Sequence, residues 1–217
     1  MKISHIGVAL LAALLPSLSV AAIRQDAARA DDEVDLAKID VKDAIECRLD
    51  APVYNRFAMA VTGEEQLAAK RGWKAVKSAN FMMHEYALPA PITVAGEYTT
   101  QRVAFTSSGV LAILDLPDPA VLARKEHIEN AMPSDGLVDA LVASGKATRE
   151  QAEAEIKFRK FLGERVIRDV TDPANGDKWR GHTVIARNIS NVASHPGKTL
   201  YGCSYKIELL DKDGNAL

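Results

Sequence analysis

Thr199-Leu200-Tyr201-Gly202-Cys203-Ser204-Tyr205-Lys206-Ile207-Glu208-Leu209-Leu210 is the run on which the reading of the fold turns. It reads as a long final strand, and it carries one of the chain's two cysteines. The other, Cys47, lies far upstream. A Cys47–Cys203 bridge would fasten the beginning of the folded chain to its last strand. The spacing is far too long for a redox Cys-x-x-Cys pair, and no Cys/His cluster suits zinc. A structural disulfide is therefore expected, as in proteins of oxidising compartments.

Upstream of this run the strand signals continue. His182 to Val192 reads as a second arm, joined to the last by Ser194-His195-Pro196-Gly197. Val166-Ile167-Arg168-Asp169-Val170 reads as a third, followed by the turn Thr171-Asp172-Pro173-Ala174-Asn175-Gly176. Three successive strands with turns between them predict an antiparallel meander. Earlier in the chain, Arg102 to Thr106 and Val110 to Leu114 flank Ser107-Ser108-Gly109, a compact hairpin signal. The second arm of that hairpin is almost wholly apolar and is expected to be buried on both faces. Trp73 to Val76 alternates, Phe81 to Leu88 does so less cleanly, and Pro89 and Pro91 bracket a break suited to an edge or loop.

Helices are expected in two places. Pro52 suits a first helical turn, with Val53, Phe57, Ala60 and Val61 at helical spacing. Thr62-Gly63-Glu64-Glu65 has the pattern of a capping box opening a short helix to Gly72. Asp118-Pro119 then opens a helical block running to about residue 162. It comprises a helix ending before Pro133, a second over Leu137 to Ala143, and a third from Thr148 to about Phe161 with Gln151 closing its capping box. The predicted class is α+β: a curved antiparallel sheet with several short helices on one face or edge, closed by one disulfide.

The first 22 residues read as a secretory signal, and residues 23–36 as a flexible acidic tail before a single domain over 37–217. Met1-Lys2 is the positive start, Ile6 to Ala22 is apolar or small, and Ser19-Val20-Ala21-Ala22 suits leader-peptidase cleavage. The apolar run falls short of the roughly 20 residues of a spanning helix. The protein is thus expected to be soluble in the periplasm or outside the cell, with no membrane span after cleavage. Beyond the signal, 26 basic residues face 29 acids, a net charge of −3. An apolar content of 47% is ample for a packed core.

Catalytic signatures are thin. There is no Gly-x-Ser-x-Gly elbow, no ordered Ser-x-x-Lys, no phosphate-cradling glycine loop and no His-Glu-x-x-His. No cofactor or metal is called for. His84, Glu85, Tyr86 and His182 are the first acid–base residues to consider if the protein is an enzyme, although alternation in a strand sends Glu85 to the face opposite His84 and Tyr86. Charge is asymmetric: residues 26–50 hold nine acids and four bases, and residues 157–206 hold ten bases and four acids. Lys157, Arg159, Lys160, Arg165 and Arg168 form a candidate binding surface for an acidic partner. With aromatics at 6%, nucleic acid is a poor partner. The expected function is non-enzymatic binding to another envelope protein, as an inhibitor, immunity or accessory factor. A small hydrolase with a non-local acid–base site and a small-ligand carrier are the alternatives.

Overall fold

The last strand lies in the middle of the sheet. In the computed structural model, described over residues 34–131, 135–155, 161–173 and 178–217, seven strands form one sheet in which every pairing is antiparallel. The strands are β1 (Lys74–Val76), β2 (His84–Val94), β3 (Tyr98–Phe105), β4 (Gly109–Leu114), β5 (Leu162–Thr171), β6 (Trp179–Ser190) and β7 (Thr199–Asp211). Their order is β1-β2-β3-β4-β7-β6-β5. Two meanders are thus joined where β7 pairs with β4, and the three-strand meander expected at the end of the chain is present. The signal segment at 1–22 and most of the acidic tail lie outside the described residues, as do Lys157, Arg159 and Lys160. Among the described residues no helix is long and apolar enough to cross a membrane.

Among the described residues six helices accompany the sheet: α1 (Val41–Ile45), α2 (Ala51–Thr62), α3 (Leu67–Lys70), α4 (Pro119–Lys125), α5 (Asp135–Ala143) and α6 (Arg149–Glu155). A 3-10 turn, Leu36–Lys38, precedes them. On α2, Tyr54, Phe57, Ala60 and Val61 fall at helical spacing and are all buried. They pack against Val103, Phe105, Val110, Ala112, Tyr201 and Tyr205 from one face of the sheet. Tyr54 stacks on Tyr205 with ring centroids 4.0 Å apart. Each such side chain contributes about 1.5–3 kcal/mol by leaving water. The opposite face has a smaller cluster of Met83, Ala104, Ile113 and Leu200. Strand β4 is therefore buried on both faces, as its composition predicts.

Local expectations fare unevenly. The Thr148–Gln151 capping box forms: Gln151 N donates to Thr148 Oγ1 at 3.2 Å, and Thr148 N to Gln151 Oε1 at 2.9 Å. The box at Thr62 does not. Thr62 ends α2 by donating to the Ala58 carbonyl, and α3 starts after Gln66 in a left-handed conformation without a side-chain cap. The proline pair does not break β2. The strand runs through both prolines, and the ladder to β3 shifts register between Ala87 and Ile92, so the missing N–H groups fall where no ladder bond is needed. The helix after Asp118 is also shorter than its pattern suggests, because His127 turns to a positive φ of 54°. At the centre of the sheet, a Cβ on Gly202 would collide with the Val110 carbonyl, so only glycine lets β7 come this close to β4.

Helix α1, five residues long, cannot stand alone. The sheet supplies its C-terminus. Tyr205 Oη donates to the Ala44 carbonyl at 2.7 Å, and the Arg187 guanidinium donates to the Ile45 and Glu46 carbonyls at 2.9 and 3.0 Å. The same guanidinium lies 3.1 Å from the Glu46 carboxylate and over the Tyr201 ring. Tyr201 Oη donates to Glu46 Oε2 at 3.0 Å, and Ala95 N to Glu46 Oε1 at 2.8 Å. The next residue is Cys47, bonded to Cys203 across 156 residues. Cys47 N reaches the Ala44 carbonyl and Arg48 N the Asp43 carbonyl, with Cys47 at φ 58°. That is a Schellman ending, with cysteine in the place usually held by glycine.

Candidate functional site

The helices cover the sheet only as far as Ile185 and Tyr205. Beyond them β5, β6 and β7 run on as a three-stranded arm. Alternation continues past the edge of the core, so Ile207 pairs with Thr183, which pairs with Val170, all on the face that holds Tyr205 and Ile185. Leu209 and Trp179 follow on that same face. There the apolar side chains stay in water: Val170 is 49% exposed, Ile207 44%, Leu209 50% and Trp179 59%. A sheet face normally buries its apolar row against another layer. This one continues beyond the helices, its apolar side chains set around Thr183 and the Asp172 carboxylate over Gly181.

The other face of the arm is charged. His182 lies between Asp169 Oδ1 at 2.9 Å and Glu208 Oε2 at 3.5 Å. Hydrogen bonding to Asp169, aided by Glu208 and opposed by desolvation, raises the His182 pKa above its ordinary 6.5. Beyond β7, Asp211 braces a tight turn by accepting from Asp213 N and Asn215 N, both at 2.8 Å. The chain then folds back so that Leu217 N donates to the Leu209 carbonyl at 3.0 Å. Strand β5 is an edge of the sheet. Its first residue is covered by the segment after α4, where Ala131 N donates to the Leu162 carbonyl and Asn130 accepts from Leu162 N. Val166 and Ile167 farther along are exposed.

A second polar assembly lies on the sheet face opposite α2. The loop after β6 folds back onto β2, and His195 Nε2 meets Glu85 Oε1 at 2.9 Å while Ser194 Oγ sits 2.9 Å from His195 Nδ1. Arg102 holds the other Glu85 oxygen in a short ion pair. Burial pushes the Glu85 carboxyl up, but hydrogen bonds from Ser78 and Arg102 and the neighbouring His195 outweigh it, holding it below the ordinary 4.5. Serine, histidine and acid invite comparison with a catalytic relay. Here, though, the serine is on Nδ1 and the acid on Nε2, the reverse of the Ser-His-Asp order. Serine and histidine are also chain neighbours, and the acid is shared with arginine. The arrangement is suited to latching the loop rather than presenting a nucleophile.

The latch has a pH signature. A carboxyl depressed in the folded state stabilises above its unfolded pKa, and that contribution is lost as pH falls through the lowered folded value. Glu85→Gln is expected to cost about 1.5–3 kcal/mol at neutral pH, the range for losing hydrogen bonds to a charged group. In urea titrations the gap between wild type and variant should narrow below about pH 4.5, the ordinary value for this group. A gap that stays constant down to pH 3 would show that the carboxylate charge is not what matters.

The residues singled out by sequence are dispersed by the fold. Glu85 enters the latch, on the sheet face opposite His84 and Tyr86. Tyr86 packs beside Trp73 and Phe105. His182 belongs to the arm. His84 is exposed and lines a cavity of about 630 Å³ with Met59 and Met82. Of the basic candidates that are described, Arg165 pairs with Glu126 at 3.1 Å and Arg168 with Asp50. The exposed apolar face of the arm has no signature of its own in the sequence: Ile207, Leu209 and Val170 carry the pattern of strand residues, and nothing in that pattern marks where the helical layer stops. Ser194-His195 has the pattern of a turn, and its partner Glu85 lies 110 positions away. Comparison with protein-family models, curated proteins and solved structures finds no match for this chain.

Proposed function

We propose that the protein is a non-enzymatic binding module of the bacterial envelope, whose docking face is the apolar side of the β5–β6–β7 arm. The observation that carries the reading is the exposure of Val170, Trp179, Ile207 and Leu209 on one face of the arm, with Thr183 and Gly181 between them and a charged opposite face. Large apolar side chains gathered in water on one face mark interaction surfaces. The partner is a second envelope protein that lays an apolar surface on this face and an extended segment along the open half of β5. Residues 1–22, with their signal-like order, and the disulfide support a periplasmic or secreted setting. An inhibitor, immunity or accessory role fits such a surface.

The test compares capture from the host's own periplasmic extract by the wild-type protein and by an Ile207→Thr/Leu209→Lys variant. Both residues are half-exposed, so the variant should fold as the wild type does. The expected result is one stoichiometric protein retained by the wild type and released by the variant. Identical capture by both forms would overturn the reading. So would a wild-type homodimer that the variant breaks, because the occupant would then be a second copy.

A further inference from the structure

The cavity beside α2 is lined by a donor set of its own. Asn55, Ala58, Met59 and Thr62 form one face of α2, and Met59 is 71% exposed. Facing them is the segment that leads into β2. An Asn80 turn holds it, with Met82 N donating to Asn80 Oδ1 and Asn80 N to Ser78 Oγ, both at 3.0 Å. From there burial alternates: Met82 exposed, Met83 buried, His84 exposed, Glu85 buried. Met82, in the turn, and His84, the first residue of β2, both open toward the cavity. Both line the cavity with Met59, and Phe81 and Phe105 complete its apolar wall.

We propose that this cavity is a binding site for a soft monovalent cation, Cu(I), held by the Met59 and Met82 thioethers and the His84 imidazole. Thioether and imidazole donors suit Cu(I), whereas Mg(II), Ca(II) and Mn(II) seek carboxylate and carbonyl oxygens. Among the described residues no carboxylate and no lysine or arginine lines the cavity. Tyr54 also lines it, but burial, with Tyr205 adding to it, pushes its hydroxyl pKa far up, so it is no phenolate ligand. The chain's two cysteines are joined to each other, so no thiolate competes for the metal. Methionine has three rotatable bonds and a polarisable sulfur. The exposed Met59 and Met82 side chains are therefore free to swing onto a shared ion, while β2 fixes His84. Phe81, 94% exposed at the cavity wall, is placed to shield that ion from water.

Silver nitrate in chloride-free buffer is the probe, since Ag(I) has the same ligand preferences without redox chemistry. Native mass spectrometry of the mature protein should show one Ag(I) per chain, and excess Zn(II) should not displace it. Met82→Leu, Met59→Leu and His84→Gln should each weaken binding by at least about tenfold, the loss that even an outer-shell change brings. The Met→Leu changes conserve volume and leave the fold intact. On the wild-type protein, ¹³C ε-methyl spectra should show the Met59 and Met82 signals shifting with Ag(I) while buried Met83 stays in place. Absence of stoichiometric binding, undiminished binding by the three variants, or a shift of Met83 in place of the other two would each overturn the site.

Discussion

Reducing the Cys47–Cys203 bond is expected to destabilise the protein by up to about 5 kcal/mol, the chain-entropy value for a loop of this length. The bond closes 156 residues, and a cross-link acts mainly by restricting the unfolded chain. A loss of that size is a large part of the 5–15 kcal/mol that holds a typical domain together. Guanidinium titrations with and without reductant measure it directly. The position of Cys47 adds a sharper test. Because Cys47 sits at φ 58°, any side chain there is strained, and the bridge holds it in place. Cys47→Gly removes both bridge and strain. Under reducing conditions the variant should therefore be more stable than wild type by about 0.5–1 kcal/mol. If reduced wild type proves the more stable of the two, the left-handed turn does not carry the strain assigned to it.

Replacing Arg187 should be nearly as damaging. Arg187→Met keeps the length of the side chain but leaves the Ile45 and Glu46 carbonyls without their donors and the largely buried Glu46 carboxylate, its side chain 11% exposed, without its cation. Breaking a buried pair from one side costs about 3–5 kcal/mol. Glu46→Gln in the same chain removes the stranded charge, and the double variant should recover part of the loss. A double-mutant cycle by urea denaturation reads the coupling. Simple additivity of the two changes would show that guanidinium and carboxylate act separately, with Arg187 holding α1 through the Ile45 and Glu46 carbonyls rather than through the ion pair.

How far the sequence disclosed these features depended on whether the signal was local. The hairpin around Ser107-Ser108-Gly109, the closing meander and the doubly buried β4 could be read because period and turn chemistry lie within a dozen residues. The disulfide was legible for another reason: two cysteines admit one pairing. The capping box at Thr62 had the right letters, yet the hydroxyl bonds backward to Ala58, a competition that pattern alone cannot settle. The latch, the α1 clamp and the Met59–Met82–His84 cavity all join distant segments. Arg187 meets Ile45 across 142 positions, and nothing local to either residue announces the other. The arm's exposed apolar face was hidden differently. An alternating strand looks the same whether or not a helix lies over it.

The strand order has a consequence for biogenesis. β7 seals β4 on one side and β6 on the other, so the sheet cannot be completed until nearly the whole chain has emerged. Until Thr199 to Asp211 reaches the compartment in which the chain folds, β4 is left waiting for its partner. Through that interval its apolar edge is unpaired, a template for any passing strand. The nascent chain is therefore expected to depend on a holding chaperone until its last strand arrives, and any fragment ending before Thr199 should aggregate rather than fold.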